Sequence, residues 1–103
     1  MPSHNYFTYI TTNPKRTTFY IGVTNDLVRR LREHFENDGN SKTFAGKYYC
    51  YNLIYYERFT QVEHAIAQEK ELKKWSRSKK EALVKASNPF MKFLNHEIQD
   101  DQD

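Results

Sequence analysis

Cysteine is almost absent from this chain. Cys50 is the only one in 103 residues, so neither an internal disulfide nor a cysteine-built zinc site can form. A lone thiol is compatible with a cytoplasmic location. No apolar run approaches the roughly 18 residues of a membrane span, and no apolar stretch opens the chain. A soluble, unprocessed protein is expected. Internal repeats and low-complexity tracts are also absent, and the length suits one domain of roughly 100–150 residues. We expect a single domain over 1–95 and a frayed acidic tail over 96–103.

The charge excess is small as well. Sixteen Lys and Arg against 13 Asp and Glu leave +3, with a pI near 9.0. Its distribution says more: seven basic and two acidic residues lie between Lys70 and Lys85, and the chain ends acidic. A basic face of this kind suits a polyanion such as nucleic acid, although a merely solvated helix face has the same composition.

Aromatic residues are plentiful at 16%, eight of them Tyr. Tyr6–Thr11 alternates as a strand, with Phe7 and Tyr9 on one face and Tyr6, Thr8 and Ile10 on the other. Asn13-Pro14-Lys15 is a turn signal, and Thr18–Val23 reads as the returning strand of an antiparallel hairpin. Gly22 shares a face with Tyr20 and permits a close approach there. Asn25 is the expected N-cap of a helix running to about Asn37, with Leu27, Val28, Leu31 and Phe35 as its apolar stripe. Arg30 and His34 fall beside that stripe, one turn apart. Asp26 is placed to pair with Arg30.

A third strand is expected within Tyr48–Glu57, strongest over Asn52–Tyr56. Thr60 and Glu63 form a capping-box pattern before a helix to about Trp75, and Ser78 and Glu81 form another before a helix to about Ala86. Asn88-Pro89 stops the second helix, and Phe90, Met91, Phe93 and Leu94 are expected to fold back onto the core. The fold class that follows is α/β (α+β): a small three-stranded, mainly antiparallel sheet flanked by helices.

Glu69 conflicts with its surroundings. On the helical wheel it falls within the stripe of Val62, Ala65, Ile66 and Leu72. A carboxylate facing a core costs several kcal/mol unless it is paired, wet or coordinating a cation. Three explanations are open: a pair with Arg30 or Lys73, a rim position at a cleft, or a metal site.

Together these residues resemble the GIY-YIG nuclease family. Tyr20-Ile21-Gly22 is the second half of its signature, and Phe7-Thr8-Tyr9 stands in place of the first half, keeping only the tyrosine. Arg30 matches the family's catalytic arginine on the following helix, His34 a histidine of many members, Glu69 the metal-binding glutamate and Asn88 a late supporting asparagine. The likeness spans about residues 5–90. It is nearest to the small single-domain group related to the N-terminal domain of a bacterial excision-repair nuclease. Val23 stands where repair nucleases often carry a lysine, and Lys47 or His34 is a candidate replacement.

The resemblance implies a metal-dependent endonuclease acting on DNA, with structured or damaged DNA as substrate and RNA as a further option. In that scheme Tyr9 takes the proton of the attacking water and Tyr20 orients water or phosphate. Arg30 stabilises charge on the scissile phosphate, and Glu69 holds one Mg²⁺ or Mn²⁺. Lys47, Lys73, Lys74 and Arg77 are the candidate nucleic-acid contacts. The competing reading is a binding or adaptor module with weak or no nuclease activity, and a protein partner supplying specificity fits either.

Overall fold

The alternating segment from Tyr6 becomes the central strand of the sheet in a computed structural model of the chain, which describes residues 5–36 and 48–99. Strand β1 (Tyr6–Thr12) pairs antiparallel with β2 (Phe19–Thr24) on one side and with β3 (Asn52–Phe59) on the other. Sheet order is therefore β2-β1-β3, with both outer strands at edges. The hairpin turn is held by the Asn13 side-chain carbonyl, which accepts from the backbone N–H groups of Thr17 (2.8 Å) and Thr18 (3.0 Å). Arg16 adopts φ 59° there, and its N–H donates to the Asn13 carbonyl.

Both faces of the sheet are covered. Helix α1 (Leu27–Glu36) and the short α4 (Asn95–Gln99) lie on the Tyr9 face, where Tyr9, Leu27, Leu31, Leu53 and Ile98 form one core. Helices α2 (Val62–Lys74) and α3 (Arg77–Ser87) lie on the Ile10 face, over Ile10, Ile21, Ile54, Leu72, Val84 and Met91. Thr8, also on that face, donates its hydroxyl to the Ala65 carbonyl at 2.7 Å, tying β1 to α2. A register shift in β3 opposite Ile10 and Thr11 lets Leu53 face Tyr9 while Ile54 and Tyr55 join Ile10. Such a bulge admits one extra residue and reverses the alternation beyond it.

Helix starts differ from expectation. Asp26, not Asn25, caps α1: its Oδ1 accepts the Arg29 N–H at 3.0 Å. Thr24 Oγ1 accepts from Asp26 N–H, so the side-chain oxygens at this corner are already committed. Thr60 is not the cap of α2; Gln61 is its N-cap residue and makes no side-chain cap bond. The cap of α3 is Ser76, two residues before the expected Ser78, and it accepts from Lys79 N–H at 3.2 Å.

Several apolar residues also depart from their expected places. Phe35 is 62% exposed because α1 rolls onto Leu27, Leu31 and His34, leaving Phe35 edge-on to Tyr51 at 5.2 Å. Ile66 is likewise exposed, and Phe90 is 79% exposed while its neighbour Met91 turns inward at φ 50°. The chain beyond Leu94, expected to fray from about His96, continues as α4 through Gln99. Ile98 is buried against the Tyr9 core.

Candidate active site

Tyr9 sits in the middle of the central strand, opposite Gly22 of β2 and Tyr56 of β3. A Cβ at Gly22 would lie 2.5 Å from the Tyr9 hydroxyl oxygen and 2.7 Å from Cζ. The phenol thus occupies the volume that any other residue at Gly22 would fill. The close approach read from the sequence is that of a side chain.

Three rings meet at this point. Tyr9 and Tyr20 lie 6.1 Å apart between centroids, Tyr9 and His34 5.9 Å, and Tyr20 and His34 5.1 Å edge-on. The Tyr9 hydroxyl and His34 Nε2 are hydrogen-bonded at 2.9 Å. Burial, reinforced by the neighbouring Arg30 charge, lowers the His34 pKa to about 4, so its ring is neutral at pH 7. Tyr9 is 0% exposed. Burial first, and Tyr20 second, raise its pKa well above that of a free phenol, against the pull of Arg30. Both partners being neutral, the direction of the bond follows the His34 tautomer: Tyr9 donates when the imidazole proton is on Nδ1.

Arg30, one turn before His34, completes the cluster. Its ion partner is Glu33 at 3.3 Å from Nε, and the expected pair with Asp26 does not form because Asp26 caps the helix. Burial works against the Arg30 charge, but the Tyr9, Glu33 and Tyr20 oxygens outweigh it and raise its pKa. Despite the proximity of Glu33, the buried Nε–H has no acceptor in hydrogen-bond geometry among the described residues. The Nε itself is enclosed and faces Glu33; what an oxygen from outside the chain can reach is the 32% of the Arg30 side chain that stays exposed beside the two phenols.

Glu69 lies on α2, the helix packed over the opposite face of the sheet. The pairing explanation holds: its Oε2 accepts from Lys73 Nζ at 3.2 Å, and the side chain is 21% exposed. The β2 edge connects the two sides. Consecutive residues Phe19, Tyr20 and Ile21 line a hollow of about 330 Å³ together with Lys73 and Lys80. Since Tyr20 and Ile21 point to opposite faces, a hollow touching both lies along the strand edge. Lys73, the partner of Glu69, therefore shares a hollow with Tyr20.

Among the described residues no three His, Cys, Asp or Glu side chains gather where they could hold a metal. A hard cation that keeps most of its waters needs only one or two carboxylates, and half-buried Glu69 fits that demand once Lys73 is displaced.

The other candidates separate clearly. Asn88 is buried, and its amide is spent on the carbonyls of Ile54 and Lys92 and on the Lys92 N–H. It caps α3 against β3 and is not brought to the rings. Arg77 donates to the Thr17 and Arg16 carbonyls and to Glu81, and its guanidinium covers the Phe19 ring at 3.8 Å. It anchors the hairpin turn. Lys74 is exposed and outside the hollow, and Lys47 lies outside the described residues. Lys80 is the hollow's second cation; only the charge of the basic run had hinted at it.

Comparison with known proteins agrees with this geometry. The family description "GIY-YIG catalytic domain" matches residues 5–82. A UPF0213 protein of Bacillus pumilus is 33% identical over 84 residues, covering 82% of this chain and 83% of its own. UPF0213 protein YazA of Bacillus subtilis has the same identity and covers 82% of each. The solution NMR structure of a UPF0213 protein from Bacillus halodurans aligns with a TM-score of 0.50 and 29% identity, over 82% of this chain and 86% of that one. With the two tyrosines, the glycine and the helix arginine assembled as described, and with these matches, the chain belongs to the GIY-YIG family, alongside its small UPF0213 members.

Proposed function

We propose that this protein is a metal-dependent endonuclease that hydrolyses phosphodiester bonds in DNA. The observation that carries this reading is the partly exposed Arg30 guanidinium beside Tyr9 and Tyr20, in a chain whose residues 5–82 match the GIY-YIG catalytic domain. A permanently charged planar guanidinium is well suited to charge building on phosphate.

Tyr20 is the half-buried phenol at the hollow and orients the attacking water or the phosphate. Tyr9, wholly enclosed, acts from behind: its hydrogen bond with His34 Nε2 fixes the ring against which Tyr20 packs. Direct removal of a proton from water by Tyr9 needs the cluster to open, since its burial raises its pKa and no surface reaches solvent. Glu69 is the residue that would hold the divalent cation, Mg²⁺ or Mn²⁺. What such a cation supplies when bound is neutralisation of the phosphate and the departing 3′ oxygen.

A binding or adaptor module is the second reading, favoured by the complete burial of Tyr9 and the occupation of Glu69 by Lys73. Nicking of supercoiled plasmid in Mg²⁺ separates the two. The nuclease reading expects Glu69→Gln and Arg30→Ala each to lower the nicking rate at least a hundredfold with the fold intact by circular dichroism. Equal nicking by wild type and both variants would point to a contaminant and discard it.

A further inference from the structure

The basic run from Lys70 to Lys85 looks uniform in sequence, and the structure makes it unequal. Arg77 is committed to two backbone carbonyls, Glu81 and the Phe19 ring. Lys79 covers the Trp75 ring at 4.2 Å, Lys85 pairs with Glu81 and Lys73 with Glu69. Lys80 is different. It is half-buried, lines the hollow beside Tyr20, and among the described residues its ammonium has no ion pair. A half-buried cation without a carboxylate retains its full attraction for an anion.

We propose that the hollow at the β2 edge seats a backbone phosphate of the bound nucleic-acid strand, with Lys80 as its principal contact and Lys73 joining when Glu69 releases it. The proposal rests on the nuclease reading and deepens it. The position of Lys80 beside Tyr20 sets the register of the strand, so that the neighbouring phosphate meets Tyr20 and Arg30. The lining of the hollow agrees in sign: its two charged residues, Lys73 and Lys80, are both cations.

The experiment uses the full chain and a fluorescein-labelled DNA duplex in EDTA, so that binding is read without cleavage. Affinity is measured across a salt series. Each phosphate contact contributes roughly 0.9 to the slope of log K against log salt. Lys80→Ala should therefore lower the slope by about 0.9 and the affinity about eightfold at 0.1 M salt. Lys80→Arg should restore both, and Lys74→Ala should leave the slope less affected than Lys80→Ala. Equal losses for Lys74→Ala and Lys80→Ala, or none for Lys80→Ala, would overturn the seat. If wild type still nicks plasmid in a Glu69-dependent way, only the seat falls. A wild type that neither binds nor nicks overturns the seat and the nuclease reading together.

Discussion

Gly22 shows how much one missing carbon can decide. The Tyr9 hydroxyl and ring edge stand where a Cβ would be, and both belong to a side chain enclosed on every side. Gly22→Ala must push that ring off its position between β1, β2 and α1. Overpacking of this kind costs about 1–3 kcal/mol, and the displaced phenol loses His34. Urea unfolding should show that loss, with the Tyr9–His34 contact disrupted in NMR spectra. His34 adds a pH dependence. Its folded pKa is about 4 against 6.5 when free, so between those values the unfolded chain binds a proton that the folded chain refuses. Stability is therefore undiminished by this group above pH 6.5 and falls as pH drops toward 4. The full loss is of the order of 3 kcal/mol. Urea midpoints from pH 7 to 4 should fall more steeply for wild type than for His34→Asn. Arg30 and Glu33, the charged neighbours of the ring, remain in both proteins.

Among the elements, α4 carries the clearest lesson. Its sequence, Asn-His-Glu-Ile-Gln, is polar apart from one isoleucine and runs into an acidic end, so it resembles a tail. Two anchors hold it. Asn95 Oδ1 accepts from Leu53 N–H at 2.8 Å while its Nδ2 donates to the Tyr51 carbonyl, and Ile98 enters the core below α1. Ile98→Ala should cost about 2 kcal/mol, the low end for such a truncation because a short helix can relax. A chemical-denaturation midpoint unchanged from wild type would mean that α4 does not dock. The helix caps teach a related point. A Ser-x-x-Glu pattern marks a helix start only where the chain turns, and the turn before α3 falls at Ser76, following the last turn of α2.

At the scale of the molecule, the sheet divides the candidate site. The rings, Arg30 and His34 belong to the α1 side, and Glu69 to the α2 side. They can address one phosphate only around the open β2 edge. Arg77 maintains that edge by holding the β1–β2 turn to α3. Arg77→Ala should lower stability by about 1–3 kcal/mol, the range for removing charged hydrogen bonds to backbone groups. Its DNA-binding slope against salt should change less than that of Lys80→Ala, because Arg77 is spent internally. An equal fall in slope would show that Arg77 contacts phosphate after all.

Local pattern alone was sufficient to place the three strands and the helices from α1 to α3. It was sufficient as well to put Phe7 with Tyr9 and to set Arg30 and His34 beside the apolar stripe of α1. These features follow from periods of two and 3.6 residues and from turn chemistry, which are properties of short segments. Tertiary packing decided the rest: that α1 would roll to bury His34 and release Phe35, that Glu69 would take Lys73, and that Asn88 would brace β3. It also decided that, of the seven neighbouring cations, Lys73 and Lys80 would line the hollow at the β2 edge. Those outcomes depend on partners distant along the chain, and no window of sequence contains both members of such a pair.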